Sequence, residues 1–176
     1  RIHLVDLDGA RLGNPVNINI FSNICEKFPN TPLQIGGGIR DLITAEKYID
    51  SGASYIIIGT KAVEDPAFVE KLCNKFPGKI IVGIDAKNGE VATDGWKSIS
   101  KKNALGLAKE FENVGVSEIV YTDIEKDGMM KGLNIDATLN LANNINIPVI
   151  ASGGVSCIED IIEINTHSKS GISGVI

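Results

Sequence analysis

What most constrains this chain is an alternation. Short runs rich in Ile and Val are followed, again and again, by amphipathic stretches of helical period. The runs cover residues 2–5, 33–35, 55–58, 80–84, 118–121, 148–151 and 174–176, and the helical patterns cover 18–27, 42–51, 66–76, 103–114, 135–144 and 158–165. Strand starts about 20 to 40 residues apart are the βαβ repeat, and almost wholly apolar strands belong to a parallel sheet covered on both faces. The helix boundaries agree: Asp65 stands at an N-cap directly before Pro66, and Gly52 and Gly115 each follow a helix end.

Two architectures carry such a repeat, an open doubly wound sheet and a (β/α)8 barrel. Where the polar residues fall decides between them. Asp6 and Asp8, Gly36 to Gly38, Gly59 and Thr60, Asp85, Thr122 and Asp123, and Gly153 and Gly154 all come just after strand C-terminal ends. An open sheet gathers its chemistry at one switch point, whereas a barrel rings its active face with every βα loop. The expectation is an α/β chain forming one partial (β/α)8 TIM-barrel domain over residues 1–176. A whole barrel runs to about 250 residues. The chain opens and closes in strand-like sequence without an initial Met, so we expect an internal piece holding strands 2 to 8, without strand 1 and a C-terminal tail.

The glycines are the chemically suggestive part. Gln34-Ile35-Gly36-Gly37-Gly38-Ile39-Arg40 and Ala151-Ser152-Gly153-Gly154-Val155 each break from an apolar run into consecutive glycines and then into a helix. Without Cβ the backbone turns tightly and presents bare amides, and amides beside a helix N-terminus bind anions, phosphate above all. Two such loops at corresponding places fit a ligand with a phosphate at each end. One phosphate is expected at Gly37, Gly38 and the Gly59-Thr60 loop, the other at Gly153-Gly154. Taken singly, either loop also reads as a plain turn. A weak internal repeat supports the pairing: Val5-Asp6-Leu7-Asp8-Gly9 before the first glycine loop resembles Tyr121-Thr122-Asp123-Ile124, with Asp127-Gly128 soon after, before the second.

Bulk properties narrow the ligand class. A net charge of −5 with no long Lys/Arg run argues against nucleic acid, and no apolar run is long enough to span a bilayer. Cys25, Cys73 and Cys157 are odd in number and lack C-x-x-C pairing, so they read as reduced, mostly buried thiols of a cytoplasmic protein. Asp6 and Asp8, if strand geometry persists, point the same way. No third ligand stands near them, and His3 (mid-strand) and His167 (in a polar loop) read as structural, so no metal is expected.

Asp85 is the sharpest single residue. It follows Ile80-Ile81-Val82-Gly83-Ile84, and a carboxyl at the mouth of an apolar strand is partly desolvated, which raises its pKa and suits general acid or base work. The same carboxylate also reads as a loop cap. Thr122 ends a strand with a hydroxyl free to donate, and Asp127 lies in a turn-forming Lys-Asp-Gly loop. Residues 89–96 read as a small hairpin carrying the only Trp of the chain. Trp96 there is either a stacking platform for a heterocycle or an anchor for its own loop.

The segments RIHLVDLDGA (1–10), QIGGGIR (34–40), DGW (94–96), YTDIEKDGMMKG (121–132) with Asn134, and ASGGV (151–155) together resemble the phosphoribosylformimino-aminoimidazole carboxamide ribotide isomerases of histidine biosynthesis, over essentially the whole chain. The cyclase subunit of imidazole glycerol phosphate synthase is the nearest relative of that family and the alternative reading. DLDGA after the first strand, the DGW hairpin and YTDI favour the isomerase. The resemblance implies a (β/α)8 barrel performing an Amadori rearrangement of a bis-phosphorylated substrate without cofactor or metal. It implies Asp85 as the proton donor that opens the ribose ring, with Thr122 and Asp127 assisting, and a substrate site including Gly37, Gly38, Arg40, Gly59, Thr60, Trp96, Gly153 and Gly154. The family's proton acceptor is an Asp on its first strand, in a segment reading roughly PAIDL, which this sequence does not contain. A phosphosugar-binding but inactive fragment is therefore the reading from a different class.

Overall fold

Seven of the apolar runs pair in register to make one parallel sheet. Its strands are β1 (Ile2–Val5), β2 (Leu33–Gly36), β3 (Tyr55–Ile58), β4 (Ile80–Lys87), β7 (Glu118–Asp123), β8 (Val149–Ser152) and β9 (Ile172–Val175), and they lie in that order across the sheet. The computed structural model describes residues 1–176, the side chain of Ser168 excepted. Helices α2 (Ile18–Lys27), α3 (Leu42–Asp50), α5 (Pro66–Lys75), α6 (Ala104–Glu110), α7 (Ile135–Ala142) and α8 (Ile158–Thr166) provide the crossovers. Side chains from the outer sheet face, such as Ile56, Ile58, Ile80, Val82, Ile84 and Ile119, pack against α3 and α5–α7 through Tyr48, Leu72, Leu107 and Leu141.

The sheet curls on itself. A second cluster holds Ile57, Ile81, Val120 and Ile150, one residue each from β3, β4, β7 and β8, with Tyr55 beneath. Such a layer is the filling of a curled sheet's inner face. Below it, Arg1 reaches from β1 across to β7: its guanidinium contacts Glu118 and donates to Gln34 Oε1 at 2.9 Å. Ser173 on β9 closes the floor by donating to Glu118 at 3.1 Å. The architecture is thus an α/β half-barrel with a curled parallel sheet, of the TIM-barrel type, with β1 and β9 as its two edges.

Several expectations change. Asp6 and Asp8 do not share a strand face, because the chain turns at Asp6 into a short helix, α1 (Leu7–Leu12), which Asp6 caps by accepting from Gly9 N. A second unforeseen helix, α4 (Thr60–Glu64), starts at Thr60. The hairpin is larger than residues 89–96: β4 extends to Lys87 and runs antiparallel to β5 (Glu90–Thr93), which pairs with β6 (Ser98–Asn103). Trp96 sits in the turn between β5 and β6. Of the thiols only Cys73 is buried; Cys25 is half-buried and Cys157 exposed at the N-cap of α8. His167 ends α8 as its C-cap instead of standing in a loop. The last strand lies at 172–175, two residues earlier than its pattern indicated. No helix of the described residues is long and apolar enough to cross a membrane.

Candidate active site

At the C-terminal end of the sheet a cavity of about 380 Å³ opens, within the usual range for a small-molecule site. Asp85 and Thr122 stand side by side there, because their strands pair in register at these two positions. Gly83 precedes Asp85 on the inner face, and the absent side chain opens the floor toward Ile57 and Val120. Asp85 Oδ2 accepts the indole N–H of Trp96 at 2.8 Å, and the Thr122 hydroxyl beside it also favours the charged carboxylate. Burial pushes the Asp85 carboxyl above its ordinary value; these two groups pull against it, and the charge of Asp127 raises it further. A carboxyl with a raised pKa lining a cavity has the chemistry a proton donor needs.

The remaining wall is built by the first glycine loop. Gly37, Gly38, Arg40, Gly59, Thr60, Lys61, Trp96 and Asp127 all line the cavity. Arg40 is exposed and lies over α1, donating to Ala10 O at 3.2 Å. Thr60 Oγ1 accepts from Asp94 N at 3.2 Å, tying the Trp96 turn to α4. Gly153 and Gly154 are buried and lie outside the cavity's lining, where Ser152 stands instead.

The glycines have a structural reason as strong as any ligand. With φ of +106° and +76°, Gly37 and Gly38 abut the preceding loop: an added Cβ would lie 2.2 Å from Asp6 O and 2.4 Å from Gly9 O. Gly153 and Gly154 repeat this, at 2.6 Å from Asp123 O and 2.5 Å from Gly132 O.

Sequence reasoning gave no site role to three residues that the structure ties to the site or its loops. His3, taken as structural, lines the cavity, and its Nδ1 lies 2.8 Å from Gln34 Nε2. Arg1 donates to the Gln34 carbonyl, so the Gln34 amide must donate to Nδ1, which leaves the imidazole proton on Nε2. Burial lowers the His3 pKa, favouring the neutral ring. Asn17 and Asn134 are the other two. Each donates to an Asp eleven residues before it, Asp6 and Asp123, and that repeated spacing was the signal available.

A sequence profile described as histidine biosynthesis protein matches residues 1–176. The chain belongs to the histidine biosynthesis protein family. Curated relatives within it carry one name, 1-(5-phosphoribosyl)-5-((5-phosphoribosylamino)methylideneamino) imidazole-4-carboxamide isomerase. Those from Hahella chejuensis and Stutzerimonas stutzeri are each 56% identical to the whole of this chain, which spans 72% and 71% of their lengths. The one from Alcanivorax borkumensis is 53% identical, again over the whole chain and 72% of its own length. The motif resemblance drawn from the glycine loops, the DGW turn and YTDI is thereby borne out at the level of the family.

Proposed function

We propose that this protein is the isomerase its relatives are named for, an intramolecular oxidoreductase that turns a bis-phosphorylated aminoaldose into the aminoketose by an Amadori rearrangement. The observation that carries it is Asp85: a carboxyl with raised pKa, hydrogen-bonded by Trp96 and flanked by Thr122 in a cavity of about 380 Å³, in a chain more than half identical to these enzymes. Asp85 gives its proton to the ring oxygen; the C1–O bond breaks and the nitrogen lone pair forms the C=N bond. Loss of the C2 proton then yields the enolamine, and protonation at C1 with loss of the C2 hydroxyl proton gives the ketose. The reaction is redox-neutral within the substrate. Thr122 orients the Asp85 carboxylate, while burial raises its pKa and the charge of Asp127 adds to that rise.

Arg40, Gly37, Gly38, Gly59 and Thr60 form one phosphate subsite, and Trp96 covers the imidazole. The second phosphate belongs by the repeat to the Gly153-Gly154 loop, with Ser152 at the cavity edge. We further propose that residues 1–176 are one partial (β/α)8 domain in which a further βα unit closes the sheet between β1 and β9; both edges lack a partner within the sheet and the relatives are longer. The cyclase reading has no support among the curated relatives named above, which are isomerases.

The test is a turnover assay with the bis-phosphorylated aminoaldose, following aminoketose formation, on the whole protein and on residues 1–176 alone. Turnover by the whole protein is expected. An inactive whole protein that consumes the aminoketose with ammonia would overturn the isomerase reading in favour of the cyclase. Activity in residues 1–176 alone would show that a group other than the strand-1 Asp takes the C2 proton.

A further inference from the structure

The internal repeat is closer in three dimensions than in sequence. Asp6 directly follows β1 and Asp123 ends β7; Asn17 stands at the N-cap position of α2 and Asn134 at that of α7, where only Asn134 accepts a capping bond through its side chain. In both halves the Asn amide donates to the carboxylate eleven residues earlier, at 2.8 Å for Asn17–Asp6 and 2.5 Å for Asn134–Asp123. In both, the loop so clamped lays its backbone on the following glycine loop, Asp6 and Gly9 against Gly37 and Gly38, Asp123 and Gly132 against Gly153 and Gly154.

The two clamps differ in how firmly they are held. The Asp6 carboxylate accepts from Gly9 N, Val16 N, Asn17 N, Asn17 Nδ2 and the Tyr48 hydroxyl, all at 2.8 to 3.0 Å. Those donors come from the first loop and from α3, so Asp6 serves the core. The Asp123 carboxylate accepts only from Glu125 N and Asn134 Nδ2 among the described residues. Its own carbonyl takes the N–H of Lys126 and of Asp127, both at 3.1 Å. Asp123 therefore holds the backbone of Asp127 at one end of the loop, and Asn134 pins Asp123 from the other. Between them Gly132 N donates to Gly154 O at 2.9 Å.

We propose that Asp123 and Asn134 are a positioning pair for the isomerisation: the amide–carboxylate contact fixes the loop 124–133, and through it Asp127 opposite Asp85. This rests on the isomerase reading of the site. Neither residue reaches the cavity, so they act through Asp127.

Asn134 also caps α7, its Oδ1 accepting from Ala137 N at 3.2 Å. Asn134→Asp and Asn134→Ser both keep a capping oxygen and lose the amide N–H that donates to Asp123. In the whole protein each is expected to lower kcat at least tenfold with KM changed less than threefold. The exchange swap, Asp123→Asn with Asn134→Asp, rebuilds the pair in reverse: the new amide donates to the new carboxylate, and the acceptors for Glu125 N and Ala137 N remain. It is expected to return kcat to within threefold of wild type, a coupling that additive effects of separate sites do not produce. Amide hydrogen exchange at Asp127 and Gly132 should quicken at least tenfold in Asn134→Asp and slow again in the swap. Single variants with kcat within twofold of wild type, or a folded swap without rescue, would overturn the proposal. If the swap fails to fold, the Asn134→Ser kcat and exchange values decide alone. An inactive wild type would sink the isomerase reading, and the exchange measurement would still decide whether the pair holds the loop.

Discussion

The indole N–H of Trp96 donates to the Asp85 carboxylate at 2.8 Å from the far end of the antiparallel hairpin that grows out of Asp85's own strand. The turn that carries it is tight: Asp94, Gly95 and Trp96 all have positive φ, from +55° to +70°. A non-glycine residue pays for that conformation unless something holds it. Here the Asp85 contact and the Asp94–Thr60 hydrogen bond do so. Trp96 is still 43% exposed, so one face of its ring is open to a ligand. Both sequence readings of Trp96, loop anchor and stacking platform, are compatible with one geometry.

The hydrogen bond lowers the Asp85 pKa against the effect of burial. Trp96→Phe keeps an aromatic ring and removes the donor, so the Asp85 pKa rises. A general acid is active while protonated. The alkaline limb of the kcat/KM profile is therefore expected to move to higher pH in this variant, measured over a pH series with buffer and salt held constant.

Asp85→Asn removes the proton donor and is expected to cost about 10²–10⁴-fold in kcat, with KM little changed. It should also stabilise the protein at neutral pH. A carboxyl with a raised folded pKa binds more protons folded than unfolded, so wild-type stability falls as pH rises from the unfolded value through the folded one. The amide has no such loss. Thermal unfolding at pH 4 and pH 7 checks this: the Tm gain of the variant should be larger at pH 7.

Asp6 works in the opposite sense. Burial pushes its carboxyl up, but hydrogen bonds from Asn17, Gly9 and Val16 overcome that and hold it well below the usual range. A depressed folded pKa contributes stability present above the unfolded value, near pH 4, and lost as pH falls toward the folded one. Asp6→Ala strands buried donors, the Tyr48 hydroxyl among them, and is expected to cost about 3 kcal/mol in urea unfolding at pH 7. The difference from wild type should shrink as pH falls below 4.

Arg40 is the exposed cation at the first glycine loop. Arg40→Ala removes the cation of the proposed phosphate subsite and is expected to raise KM about tenfold, since charge-assisted hydrogen bonds carry about 1.5–3 kcal/mol. Lys61→Ala should do less, because Lys61 already pairs with Asp65 at 3.4 Å. Steady-state kinetics with the bis-phosphorylated substrate check both, and unfolding curves should stay near wild type. Substituting the glycines themselves is a poorer test: Gly37→Ala would drive a methyl into Asp6 O and unsettle the loop regardless of ligand.

The alternation of Ile/Val runs with helical patterns determined the parallel sheet, its strands and most of its crossovers, because strand and helix periods are local properties that a window of residues carries in full. Asp65 at its cap was legible for the same reason, and so was the approach of Asp85 and Thr122 to the sheet's C-terminal side, although both lie inside strands that run on to Lys87 and Asp123. The short helices α1 and α4 were not, since six and five residues hold too little of a helical period to show. Only the tertiary structure decided what the loops are for. That Asp6 caps a helix, that Gly37 and Gly153 admit backbone, that Trp96 returns to Asp85, and that His3 is tautomerised through Gln34 by Arg1 are contacts between distant residues. They exist because the sheet curls and brings separate strand ends to one mouth, a closeness that spacing along the chain does not encode.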